Sequence, residues 1–357
     1  MTSMFGVVRR IRRRHGRWLH VIVLLSLSAC DQNDDWQKFS RLAAQPTTLS
    51  TLQREAIPLS EPVRALQAQN PDFINSELVS LGRQLFHDKR LSGDGTISCA
   101  SCHNVQAGGD DGRATSVGMK GQIGNINAPT VLNSGHNFRQ FWDGRADSLV
   151  AQALGPVVNP IEMGANWPEV LEKLSTDKVL LSRFETVFNT RELTPELLAE
   201  AIAAYERTLI TPSPFDDYLN GNTRAISAQA AAGYELFKGY GCTACHQGVN
   251  LGGNVMQYFG AFHAVDVGHG QRAGNADKAG TIPVYKVPTL RNVAMTSPYF
   301  HTGSVTLLSD AVKVMAAAQL GRTIGDEDVE LIVAFLESLT GEVPTHAMKP
   351  TQVTFAE

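Results

Sequence analysis

Between Thr194 and Pro212 the apolar residues Leu197, Ile202, Tyr205 and Leu209 recur at helical spacing. Thr194-Pro195-Glu196 opens the run with a cap residue and a proline at the first helical position, and Pro212 and Pro214 close it. Similar periodicity predicts helices over 76–87, 227–238, 306–319 and 326–339. No stretch alternates convincingly enough to predict a strand ladder. The chain therefore reads as mainly α, with a domain boundary near residue 212.

The N-terminus follows a different pattern. Arg9, Arg10, Arg12, Arg13, Arg14 and Arg17 precede an apolar stretch from Trp18 to Leu27 and then small residues, the three-part form of a secretory signal over residues 1–29. The stretch is too short to cross a membrane. It ends Leu27-Ser28-Ala29-Cys30, the form of a bacterial lipobox, which predicts lipidation of Cys30 as the first mature residue. Residues 31–75 are polar and carry Pro46, Pro58, Pro62 and Pro71, so 30–75 read as a lipidated tether. The expected location is the periplasm, on a bacterial membrane.

Composition sharpens this picture. The chain has 357 residues, 43% hydrophobic and 18% charged, enough for about two folded domains and too apolar for disorder. Six of the 31 basic residues lie in the signal, leaving 25 against 35 acidic ones, a charge of −10. An acidic body excludes general nucleic-acid binding and suits soluble or cationic partners.

The four remaining cysteines fall in Cys99-Ala100-Ser101-Cys102-His103 and Cys242-Thr243-Ala244-Cys245-His246. Two copies of C-x-x-C-H are the pattern of c-type haem attachment: the thiols add to the vinyl groups and the adjacent histidine reaches the iron. A thioredoxin-like pair has no need of the histidine, and a zinc site would use all four thiols. His103 and His246 are thus the expected proximal ligands of two haems c.

The surroundings of the motifs repeat in order. Gly82-x-x-Leu85-Phe86 precedes the first and Gly233-x-x-Leu236-Phe237 the second. Gly108-Gly109 and Gly252-Gly253 follow. Ala128-Pro129-Thr130-Val131-Leu132-Asn133 matches Val287-Pro288-Thr289-Leu290-Arg291-Asn292, and Phe141-Trp142-Asp143-Gly144 stands against Tyr299-Phe300-His301-Thr302-Gly303. The economical fold is two tandem cytochrome c-like domains, each with one covalently attached haem c, over 76–212 and 213–342, with a C-terminal tail over 343–357.

Residues Leu81 to Gly341 resemble the bacterial dihaem cytochrome c peroxidases, a family that includes the methylamine dehydrogenase maturation enzyme. The similarity is carried by Leu81-Gly82-Arg83-Gln84-Leu85-Phe86, Asn127 to Asn133, Phe141 to Ala146, Thr208 to Pro212, and Leu290 to Val293 leading to Pro298–Gly303. It implies reduction of hydrogen peroxide to water with electrons from a small cytochrome c or cupredoxin. It places Met315 as the distal ligand of the second haem, Glu162 as acid–base on the peroxide side of the first with Gln152 fixing peroxide and water there by hydrogen bonds, and Trp142 between the two. It implies a calcium ion at Asn127, Thr296 and Pro298, a role for His301 at the interface, and a homodimer as a common state. Relatives that need reductive activation carry a histidine where this chain has Met119. That leaves either a catalytic haem open when oxidised or capping by Met119 or another loop group. The alternatives are a dihaem oxidase acting on a protein or small molecule, which the family builds with a tyrosine in place of the distal methionine, and a dihaem electron carrier without catalysis.

Overall fold

The computed structural model describes residues 61–67, 69–263 and 284–347. Cys30 and the signal lie outside the described residues. The first half contains α1 (Pro71–Ile74), α2 (Glu77–Phe86), α3 (Cys99–Cys102), α4 (Leu149–Val158), α5 (Trp167–Ser175), α6 (Lys178–Phe188) and α7 (Pro195–Glu206). The second contains α8 (Pro214–Leu219), α9 (Ala228–Tyr240), α10 (Leu308–Leu320) and α11 (Asp326–Glu337). None of these helices is long and apolar enough to cross a membrane.

Local chemistry explains the boundaries. Thr194 caps α7 by accepting from Leu197 N at 3.3 Å, with Pro195 at the first position, as the sequence predicts. The helix stops at Glu206, short of Leu209. Helix α9 ends at Gly241 in the left-handed region, φ 96°, where a glycine meets no Cβ penalty. Within the mainly α body, where no strand ladder is expected, β1 (Met256–Tyr258) and β2 (Val284–Lys286) pair antiparallel. Strands of three residues are too short to show alternation in sequence.

Two hydrophobic clusters form. In the first, α2 packs across α7, with α4 also against α7, and Phe86 meets Tyr205 edge-on at 5.2 Å. In the second, α9 packs across α11, with α10 against α11, and Phe237 meets Phe335 at 5.1 Å. The repeated glycine sets both crossings. A Cβ on Gly82 would run into the Ala201 carbonyl, and one on Gly233 into the Leu331 carbonyl. In each pair a side chain at that position would force the helix axes apart.

The ends of the described body are structured where a tether and a tail are expected. Val63, 2% exposed, belongs to the second cluster and bridges to Gly248, and Leu66 N donates to Asp216 at 2.8 Å. Ala347 is buried in the first cluster, and its carbonyl accepts from Tyr205 Oη at 2.7 Å. The tether expectation is therefore corrected from Glu61 onward, and the tail expectation through Ala347. A few apolar anchors in a polar stretch leave too little periodicity to read.

Candidate functional site

Each C-x-x-C-H lines a largely apolar cavity. Cys99, Cys102 and His103 line the first, together with Gln152, Glu162 and Glu206. Cys242, Cys245 and His246 line the second, together with Met315. Trp142 and the segment Asn127–Thr130 line both. The expected catalytic and ligand residues are thus sorted by the fold into two sets that share one wall.

The histidines are held alike. His103 Nδ1 lies 3.3 Å from the Gly109 carbonyl and His246 Nδ1 3.1 Å from that of Leu251. Donation by Nδ1 leaves Nε2 with its lone pair, the form that binds a metal. Burial pushes His103 below its ordinary value and His246 down to about 4, so both are neutral. Burial also pushes the Cys99 thiol up to about 12 and Cys242 to about 11. None of the four thiols is in a disulfide. Thiols held protonated do not suit a thioredoxin-like nucleophile, and among the described residues no cluster of three or more His, Cys, Asp or Glu could hold a metal ion. Covalent attachment to a haem fits the cavities, the neutral histidines and the paired thiols together.

Glu162 follows α4, which carries Gln152. Its Oε1 accepts from Asn159 Nδ2 at 2.6 Å. Burial raises its pKa, opposed by the Asn159 bond and by Arg145. Met163, 3% exposed, also lines the first cavity from within the core cluster, a position the sequence did not bring forward. Met119 is not among the lining residues. Its side chain lies against Gly93 and Gly164, where an added Cβ would come within 3.2 and 2.9 Å of its Sδ, and its N–H donates to the Glu162 carbonyl at 2.8 Å.

The shared wall is built from the repeat. Phe141 and Phe300 occupy the same left-handed conformation, φ 67° and 69°, which aligns Trp142 with His301. Their rings meet edge-on at 6.2 Å. Asn127 N donates to the His301 carbonyl at 2.8 Å, and Lys286 N, the corresponding position of the second half, donates to the Trp142 carbonyl at 2.7 Å. Trp142 Nε1 donates to the Asn127 carbonyl at 2.8 Å, and Tyr285 Oη lies 3.0 Å from His301 Nε2. Burial pushes His301 down to about 4.

Asn127, Thr296 and Pro298 all line the second cavity, and the Asn127 side-chain amide lies 3.5 Å from the Pro298 carbonyl. The Asn127 amide nitrogen also donates to the Arg113 carbonyl at 2.8 Å, so in this structure it is the nitrogen that faces both carbonyls.

Three ionisable lining residues escaped the sequence reading. Glu206 is 5% exposed, its Oε2 has no hydrogen-bond partner, and burial pushes it up to about 8. Arg145 lies over the Phe141 ring at 3.5 Å. Lys286 is 5% exposed in the second cavity. Arg145 falls within the Phe141–Ala146 segment and Lys286 stands against Asn127 in the repeat, but no such signal marks Glu206 in the sequence.

A family model described as di-haem cytochrome c peroxidase matches residues 76–224. The chain is 47% identical over 292 residues to the Escherichia coli cytochrome c peroxidase Ccp, covering 79% of this chain and 62% of that protein. It is 45% identical over 290 residues to the cytochrome c551 peroxidase of Nitrosomonas europaea, covering 80% and 86%. Among solved structures, a MauG-like protein associated with microbial copper homeostasis superposes with a TM-score of 0.67 at 27% identity, covering 83% of this chain and 99% of that one.

Proposed function

This chain belongs to the di-haem cytochrome c peroxidase family, and from that premise we propose that it reduces hydrogen peroxide to two waters, taking two electrons from a small c-type cytochrome or cupredoxin and two protons from solvent. The observation that carries the reading is the asymmetry of the two cavities: Glu162 and Gln152 face the first, and Met315 faces the second.

Bound haem supplies the iron redox chemistry, cleavage of the peroxide bond in the first cavity and storage of an electron in the second. Cys99 and Cys102 would hold one haem by thioether bonds and Cys242 and Cys245 the other, with His103 and His246 offering Nε2. Glu162 takes the proton from the proximal peroxide oxygen and returns it to the departing one, a task for a carboxyl whose pKa lies nearer neutrality. Gln152 fixes peroxide and product water by hydrogen bonds. Met315, which lines the second cavity, would offer its thioether to a haem held there, and a thioether would favour the reduced state. Trp142, in the wall common to both cavities, shortens the gap an electron crosses.

The packing of Met119 away from the first cavity supports a site open in the oxidised protein. A calcium ion held by Asn127, Thr296 and Pro298 belongs to the same proposal, as do export to the periplasm, anchoring through Cys30, a homodimer, and the division into two haem domains at about residue 212.

The test is turnover and ligand binding in the haem-loaded protein. Peroxide-dependent oxidation of a reduced small cytochrome c is expected, with cyanide binding to one haem of the two in the oxidised protein. Absence of turnover at millimolar peroxide, with both haems closed to cyanide in every oxidation state, would refute the reading and leave an electron carrier.

A further inference from the structure

Lys286 ends β2 with its side chain inside the second cavity and only 5% exposed. No hydrogen bond or ion pair engages its ammonium among the described residues. Among the described residues the cavity lining contains no Asp, Glu or Arg, so Lys286 is the one formally charged side chain among them. The other ionisable groups there do not offset it. His246 and His301 are neutral, Tyr285 and Tyr299 are raised and stay protonated, and Cys242 is raised beside Cys245. Burial alone pushes Lys286 down to about 8, with no opposing carboxylate.

A buried cation without a counter-ion is strongly unfavourable, so such a group persists where the intended occupant brings the opposite charge. A haem brings two carboxylates, and the described residues of this cavity supply no anion to compete for the ammonium. The matching position in the first half is the neutral Asn127, so the two cavities differ in charge at equivalent points of the repeat.

We propose that Lys286 pairs with a haem carboxylate in the second cavity and, because its N–H is bonded to the Trp142 carbonyl, holds that edge of the haem at the wall shared with the first cavity. This rests on the assignment of the second cavity to a haem made above. Lys286 is then a positioning residue whose positive charge favours the electron-rich state of the second haem.

The experiment is a spectroelectrochemical titration of the protein carrying both haems, with haem stoichiometry and second-haem spectra recorded first. In Lys286→Met the reduced-to-oxidised ratio of the second haem at a fixed potential is expected to fall about tenfold, a shift of ~59 mV for one electron. Lys286→Arg should restore it to within about threefold of wild type while the first haem is unchanged. An unchanged ratio in Lys286→Met with both haems loaded overturns the inference and leaves the peroxidase reading intact. Failure to find a second haem in the wild-type protein would instead strike that reading. Should Lys286→Met not load haem, resonance Raman spectra of wild type and Lys286→Arg decide: a shift in the carboxylate bending modes of the second haem supports the pairing, and identical modes overturn it.

Discussion

Asn133 and Asn292 donate their side-chain amides to the same hydroxyl, Thr211 Oγ1, each at 2.8 Å. The two asparagines occupy matching positions of the repeat and the same left-handed conformation, φ 59° and 60°. Thr211 is fully buried where the halves meet, its N–H bonded to Asn133 Oδ1 at 3.0 Å. One threonine therefore joins both copies of the motif. Thr211→Val keeps the shape and strands two buried amide groups. It is expected to destabilise the haem-loaded protein by about 2–4 kcal/mol, and Thr211→Ser by less, as read from denaturant unfolding.

The helix crossings give a paired test on one helix. At Gly233 a Cβ would strike the Leu331 carbonyl, whereas at Gly239 nothing lies within 4 Å of it. Gly233→Ala is expected to lower stability by about 1–3 kcal/mol through overpacking against backbone. Gly239→Ala should raise it by about 0.5–1 kcal/mol by removing chain entropy from the unfolded state. Thermal unfolding of the two variants side by side checks the opposite signs.

Arg291 and Asp216 form a buried two-pronged ion pair, with both bonds at 2.8 Å. Burial by itself would raise Asp216, but the bonds from Arg291, with those from Leu66 and Ser213, outweigh it and hold the carboxyl below its ordinary value of 3.8. The folded pKa is depressed, so the stabilisation is complete above 3.8 and is lost as pH falls through the lower folded value. Asp216→Asn should cost about 3–5 kcal/mol at pH 7 by leaving Arg291 buried without its partner. The gap between variant and wild type should narrow only below pH 4, measured by unfolding across pH.

Glu162 links activity to pH. Its carboxylate form accepts the first proton, and burial raises its pKa above the ordinary 4.5, so peroxidase activity should fall on the acid side at a pH higher than 4.5. Glu162→Gln is expected to lower turnover about 10²–10⁴-fold and abolish that acid limb. Asn159→Ala removes the 2.6 Å bond that favours the charged form and should move the limb to higher pH. A pH–rate profile for the three proteins reads all of this directly.

The C-x-x-C-H motifs, the main helices and the internal repeat are legible from sequence because each is written in contiguous segments: vinyl chemistry needs C-x-x-C-H in one piece, and helical burial imposes its own period. Resemblance to the family brought Glu162, Gln152, Trp142 and Met315 forward as a set, and the fold distributes them between the two cavities. The amino-acid order is silent on what meets across long separations. Val63 and Ala347 are single anchors without period, Met119 turns onto Gly93 and Gly164, and Lys286 and Glu206 look like ordinary surface residues until the chain closes around them. Sequence alone thus determines which groups share a contiguous motif or a helix face. Only the tertiary structure decides which of them are removed from water together, and desolvation is what turns a lone lysine or carboxyl into a group that must find a partner.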